Sequence, residues 1–415
     1  MKEPKPDADR LKPATRLVSA GREFSEHGIV SPAVYHASTI LFPSVQALLE
    51  RKQTYVYGRR GTPTLRALET AIAKLEGGYD AKICGSGLGA VTTTLLAFLK
   101  SGDHLLMTDA VYAPTRHFCD TILKAYGVET TYYDPLIGSA IGNLVRSNTR
   151  VVYCESPGSQ TMDVQDIPAI ASAAHDKDCT VIFDNTWSGG YFFNAFAHGC
   201  DVSVHAATKY IVGHSDAMMG AVTCNEKTWA RLLETHGTLG QHAGPDDVYL
   251  ALRGLRTIDV RLERHMKNAL RIAEWLGNRP EVASVLYPAL PEAPGHAIWK
   301  RDFTGASGLF SIVLKPFSDS AVAAMLDGLE LFGMGFSWGG FESLAVPFKV
   351  HRSAKPSTAA GPCIRFHIGL EDPDDLIADL AGGFVVFSMQ PNDLGGHKPF
   401  PESQEREGWS VSALN

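Results

Sequence analysis

Several residues of chemically useful type stand just past apolar runs of strand length. Tyr112 follows His104–Thr108, Asp184 follows Thr180–Phe183, and Thr208 and Lys209 follow Val202–His205. Ligands of parallel α/β sheets bind beyond the carboxyl ends of the strands, so an aromatic ring, an acid and an amine would face one crevice. A glycine-rich segment, Gly85-Ser86-Gly87-Leu88-Gly89-Ala90, precedes an apolar helical stretch. Unpaired amides at such a helix start, with the helix dipole, attract an anion. Each feature alone has a plain structural role. Asp184 would cap a helix or form a turn, Lys209 would be a solvated charge, Tyr112 would be core, and the glycines would be a packing turn.

The glycine segment also fits G-x-G-x-x-(G/A), with Asp109 near the place of a ribose-binding acid, so a dinucleotide site competes with a simple phosphate site. The strand-end residues favour pyridoxal 5′-phosphate. The turn Ser86, Gly87 and Leu88, helped by Thr208, would hold the phosphate. Asp184 would pair with the pyridinium nitrogen, Tyr112 would stack on the ring, and Lys209 would form the imine. A lysine desolvated near other positive charge has the lowered pKa this bond needs.

The chain has 415 residues, 45% hydrophobic and 20% charged, which predicts a globular protein of two domains or one with a satellite. The net charge of −7 is interspersed and no Lys/Arg run tracks a polyanion, so no nucleic-acid partner is expected. No apolar stretch reaches the ~20 residues of a membrane span. The opening residues lack a signal-peptide core, and a cytoplasmic location is expected. Seven scattered cysteines without a C-x-x-C pair suit a reducing compartment and argue against a zinc ribbon. His205, His214, His236 and His242 share no ligand spacing, and no metal is expected.

These residues need a scaffold. Helical periodicity covers Thr64–Leu75, Gly89–Leu99, Thr115–Tyr126 and Ile167–His175, and strand-length runs recur at His104–Thr108, Arg150–Cys154, Thr180–Phe183, Val202–His205 and Gly220–Cys224. The alternation predicts an α/β fold with a mostly parallel sheet covered on both faces. One long helix over Asp247–Leu276 would lead to a second unit with strands Val282–Tyr287, Gly308–Leu314 and Cys363–Ile368 and helices Ser318–Gly328 and Asp374–Ala381. The expected organisation is an arm over 1–60, a cofactor domain over 61–256, a smaller α+β domain over 257–390 and a polar tail over 391–415.

The segments Ala206–Ala217 and Asp184–Trp187, with Tyr57–Thr64, Glu155–Ser159, Ser337–Leu344 and Ile364–Asp372, resemble in type and order the Cys/Met-metabolism class of pyridoxal enzymes. The likeness runs from about Leu17 to Val386 and is greatest to the bacterial cystathionine β-lyase branch. It implies the aspartate-aminotransferase-like fold (fold type I), with a large sheet domain and a smaller C-terminal domain. It further implies that Tyr57 and Arg59 reach the cofactor phosphate of a neighbouring subunit, in a dimer commonly paired into a homotetramer. Arg365 would grip the carboxylate of a small sulfur amino acid, and Ser337 and Trp338 would line its pocket. Phe336, Ala206 and Ser159 stand where γ-acting relatives commonly carry Glu, Ser and Asn, which favours β over γ chemistry. A γ-acting lyase or synthase is the nearest alternative, and a dinucleotide-dependent oxidoreductase a remote one.

Overall fold

The computed structural model describes residues 11–356 and 361–389, with side chains to residue 385. Seven strands form the larger sheet: β1 (Asp80–Cys84), β2 (His104–Thr108), β3 (Glu129–Tyr133), β4 (Thr149–Glu155), β5 (Thr180–Asp184), β6 (Val202–His205) and β7 (Gly220–Cys224). Their order is β1-β7-β6-β5-β4-β2-β3, and β7 runs antiparallel to both neighbours while the rest are parallel. Side chains alternate across the sheet as the pleat requires. Leu106, Val152, Val181 and Phe183 enter one apolar layer, while Leu105, Met107, Val151, Tyr153 and Ile182 enter the opposite one. Both layers are roofed by helices, among them Ile167–His175 on the first and Gly87–Phe98 on the second.

A second, antiparallel sheet holds β8 (Val282–Leu286), β9 (Leu309–Leu314), β10 (Leu344–Phe348) and β11 (Cys363–His367), in the order β10-β11-β9-β8. Its inward residues Phe310, Ile312, Ile364 and Phe366 join the same apolar cluster as Val152 and Phe183 of the large sheet. That shared core fixes the two sheets relative to each other, which matters because the site draws side chains from both.

The structure corrects several expected elements. The helix expected over Asp247–Leu276 is two, Pro245–Leu255 and Ile258–Gly277. The break is held by side chains, since Arg261 Nη2 (2.8 Å) and Thr257 Oγ1 (3.2 Å) both donate to the Gly254 carbonyl. The helix expected over Thr115–Tyr126 is α-helical at Ala113–Phe118 and continues as a wider π turn at Cys119–Leu123. The last helix runs to Met389, well past Ala381. Strands β1, β3 and β10 and the helix Glu226–Thr238 were not expected. Within the arm the described residues include short helices at Pro13–Ser19 and Val45–Glu50. The expected tail over 391–415 lies outside the described residues.

Candidate active site

The glycine turn links β1 to the helix Gly87–Phe98, whose first turn is capped by Ser86 Oγ accepting from the Gly89 amide at 3.0 Å. A Cβ on Gly87 would lie 2.5 Å from Ala206 Cβ, so only glycine lets this helix start press against the chain that leads to Lys209. The same turn abuts β7, placing an anion-attracting helix end beside the strand-end residues. Thr208 sits next to it, but its hydroxyl donates to the Met219 carbonyl (3.1 Å) and accepts from the Met219 amide (2.8 Å). Its proton is therefore already engaged within the fold.

Lys209 follows β6, and its Nζ donates to Ser337 Oγ at 2.6 Å and lies 5.3 Å from the centre of the Trp338 ring. Burial and the nearby Arg365 lower its amine from the ordinary 10.5 to about 8, against an opposing pull from Asp184. Asp184 ends β5 and is 9% exposed. It accepts from the Thr186 amide (3.0 Å), the Thr186 hydroxyl (2.5 Å) and, more loosely, the Tyr153 hydroxyl (3.4 Å). Among the described residues it makes no ion pair with Lys or Arg, and burial pushes its carboxyl above the usual range. A buried carboxyl with donors but no Lys or Arg partner among the described residues suits a protonated ring nitrogen.

Arg365 comes from the second sheet. Its Nη2 donates to the Ser337 carbonyl at 3.1 Å, and its Nε is buried without a hydrogen-bond partner. No described carboxylate stands within ion-pair reach of it, and burial lowers it to about 10. A guanidinium fork left this way is prepared for a carboxylate from outside the chain. Tyr112 is half exposed, and its amide donates to Glu155 Oε2 at 2.8 Å. Desolvation first and Glu155 second raise its hydroxyl above the ordinary phenol range, while Arg365 opposes them. Lys209, Tyr112, Asp184, Ser337, Trp338 and Arg365 thus form one group, linked by direct contacts and by their mutual electrostatic influence.

Tyr57 and Arg59 do not join it within the subunit. Arg59 Nη1 donates to the Gly237 carbonyl at 2.8 Å, Tyr57 is 45% exposed, and no hydrogen bond or ion pair among the described residues ties either to Lys209. Leu88 is also partly exposed, at 38%.

Asp109, the acid of the dinucleotide alternative, is consumed. It accepts from Arg116 (2.5 Å) and from the amides of Ser353 (2.9 Å) and Ala354 (2.8 Å), clamping the β10–β11 connection onto the large sheet. The glycine turn also follows an edge strand whose neighbour is antiparallel, which is not the parallel crossover a dinucleotide motif requires.

Two acidic groups escaped the sequence reading. Glu155 ends β4 directly opposite Asp184 on β5, and burial and that neighbour push its carboxyl well up. The signal that singled out Asp184, an acid at a strand end, was present at Glu155 too. Glu76 lies under the site, fully buried, with Oε1 accepting from His205 Nε2 (2.7 Å), Asn185 Nδ2 (3.1 Å) and the Ser203 hydroxyl. Its partners are over a hundred residues away, and nothing local announces them.

Comparison with known proteins agrees with this geometry. Residues 14–385 match the Cys/Met metabolism PLP-dependent enzyme family. The chain belongs to that family. It is 46% identical over 385 residues to the cystathionine beta-lyase of Escherichia coli K12, covering 89% of this chain and 98% of that one. A Rhizobium johnstonii protein, itself only provisionally named a cystathionine beta-lyase, is 52% identical over 380 residues, covering 90% of this chain and 96% of that one. The solved cystathionine gamma synthase of Xanthomonas oryzae superposes with a TM-score of 0.83 at 30% identity, over 91% of this chain and 99% of that one. The fold is therefore fold type I, and the enzyme is pyridoxal-phosphate-dependent.

The residues fit the cofactor. A glycine cradle that a Cβ would fill, a buried carboxyl without a Lys or Arg partner among the described residues and a lysine with a depressed pKa are the three groups it requires.

Proposed function

We propose that the protein cleaves cystathionine at its β-carbon–sulfur bond, taking up one water to give homocysteine, pyruvate and ammonia. The carrying observation is that the unpaired guanidinium of Arg365 and the low-pKa amine of Lys209 converge on Ser337. Identity of 46% to the Escherichia coli cystathionine beta-lyase, against 35% to a cystathionine gamma-lyase of Dictyostelium discoideum, supports β rather than γ chemistry.

Bound pyridoxal phosphate would supply an electron sink that acidifies the substrate Cα–H and stabilises the charge left behind. Lys209 would anchor it, Asp184 would keep its ring nitrogen protonated, Tyr112 would cover the ring, and the Ser86–Leu88 turn would take its phosphate. Arg365 holds the substrate α-carboxylate through its free edge, with Trp338 walling the pocket. That grip presents the Cα proton to the Lys209 amine, whose value of about 8 leaves it poised to accept and return a proton near neutral pH. Lys209 or Tyr112 then delivers a proton to the departing sulfur.

Tyr57 and Arg59, which make no hydrogen bond or ion pair with their own subunit's Lys209 among the described residues, are assigned to the phosphate of a neighbouring subunit, within a homotetramer built from such dimers. The chain divides for this purpose into an arm (1–60), a cofactor domain (61–256) and a substrate-gripping domain (257–390). The enzyme acts in the cytoplasm in methionine synthesis, with cysteine and cystine as further substrates.

Feeding cystathionine to the purified enzyme tests the reading. Pyruvate with homocysteine is expected, and 2-oxobutyrate with cysteine would establish γ cleavage instead. Lys209→Ala is expected to abolish both turnover and the visible cofactor absorbance. Retention of both would refute the assignment.

A further inference from the structure

The segment that carries Ser337 and Trp338 is held in an uncommon backbone shape. Ser337 has φ +77° and Gly339 has φ +90°, both left-handed. At Ser337 this conformation strains an ordinary side chain. At Gly339 it could not be otherwise, because a Cβ there would come within 2.9 Å of the Lys209 carbonyl carbon. The segment therefore lies directly on the backbone of Lys209, and something must hold it down.

Two of its bonds run to the reacting groups themselves, Ser337 Oγ to Lys209 Nζ and Ser337 O to Arg365 Nη2. Both must loosen or re-form as substrate arrives. The contacts that need not change are made by His367, whose Nε2 lies 3.1 Å from the Gly339 amide nitrogen and 3.2 Å from the Gly340 carbonyl oxygen. His367 stands two residues after Arg365 on β11, hence on the same sheet face, while Ile364 and Phe366 point into the opposite apolar core. It is 1% exposed. One imidazole thereby ties the strand that supplies the substrate grip to the loop that supplies its pocket wall.

We infer that His367 is a positioning residue for substrate binding, a neutral imidazole whose Nε2 holds the Gly339–Gly340 backbone and so sets Ser337 and Trp338 in place against Lys209 and Arg365. The inference rests on the assigned roles of Lys209 and Arg365.

A second buried histidine, His265, packs beside it. His265 Nδ1 lies 2.7 Å from the Ile368 carbonyl, so it carries the proton and leaves Nε2 as an acceptor. Nε2 of His367 accepts from Gly339 in one tautomer and donates to Gly340 in the other, so either tautomer ties the ring to this segment. The two rings are centred 5.2 Å apart, and His265 Nε2 and His367 Nδ1 are both buried without a protein partner. Burial, with His265, Arg365 and Lys209 nearby, drives His367 far below the ordinary histidine value, which keeps it neutral. A charged ring would add a third cation beside Arg365 and Lys209.

The test compares His367→Phe, which keeps a ring but removes Nε2, with His367→Gln, whose side-chain amide can replace Nε2 at Gly339 and Gly340. Cofactor-loaded enzymes are assayed for KM and kcat on cystathionine. Propionate, a bare carboxylate, is titrated against the cofactor absorbance. His367→Phe is expected to raise KM and weaken propionate about tenfold, the worth of one hydrogen bond, with kcat little changed. His367→Gln is expected to restore both. Unchanged KM and propionate affinity in His367→Phe, or a His367→Gln enzyme as impaired as His367→Phe, would overturn the inference. If His367→Phe does not fold, His367→Asn, whose amide falls short of Gly339, takes its place against His367→Gln under the same criteria. Failure of the underlying reading would look different, as a parent enzyme lacking the cofactor band or yielding no pyruvate.

Discussion

With an amine value of about 8, Lys209 is a free base to a useful extent near neutral pH. At about pH 7.5 roughly a quarter of such amines are unprotonated, against about 0.1% at the ordinary 10.5, a gain of roughly 200-fold. Desolvation is the larger cause and Arg365 the second, while Asp184 pulls the other way. Arg365→Met should therefore raise the Lys209 value by at most about one unit, because the buried setting remains. Asp184→Asn should move it further down. The assay is reductive methylation of the cofactor-stripped protein with formaldehyde and cyanoborohydride across pH 6 to 11, with mass spectrometry quantifying modification at Lys209. An inflection near 8 in the parent is expected, higher in Arg365→Met and lower in Asp184→Asn. An inflection above 10 in the parent, or an Arg365→Met enzyme that titrates like an exposed lysine, would refute this ordering of causes.

Two further outcomes follow from the packing beneath the site. Glu76→Gln should cost about 3–5 kcal/mol in urea unfolding, because it leaves His205 buried without its charged partner. His205 is held above its ordinary 6.5, so its share of stability is full below that pH and fades as pH rises through the elevated native value; Glu76 is held below 4.5, so its share fades as pH falls through that lower value. Both slopes should flatten in Glu76→Gln, and a parent whose stability is level from pH 6 to 9 would count against a charged His205. Gly87→Ala should destabilise by about 1–3 kcal/mol and weaken pyridoxal phosphate binding, since the new methyl must displace Ala206; unchanged cofactor affinity by equilibrium dialysis would show that this turn does not hold the phosphate.

Much of the site is legible in the amino-acid sequence because its residues obey a local rule. Lys209, Asp184 and Tyr112 each terminate or follow a short apolar strand, and strand periodicity is written in neighbouring residues. The same rule locates β2, β5, β6 and β7 closely. It fails at β3, whose residues Glu129–Thr131 are only partly covered, and at β10, where Pro347 interrupts the pattern. Those strands exist because neighbours supply their hydrogen bonds. Thr130–Tyr133 favours a strand by residue type, but neither segment is an unbroken apolar run.

The sequence by itself determined the alternation of strands and helices, the family through its ordered motifs, and the cofactor through the residue types at strand ends. Tertiary structure alone decided which groups meet. Asp109 passed from a candidate ligand acid to a clamp on Ser353 and Ala354, Glu76 found His205 across 129 positions, and Arg365 and His367 came to face Lys209 from another sheet. The physical reason is range. Periodicity and capping act over a few residues and leave their mark in adjacent letters, whereas a buried polar group takes whichever partner the packed core brings within about 3 Å, at a sequence distance that no local pattern records.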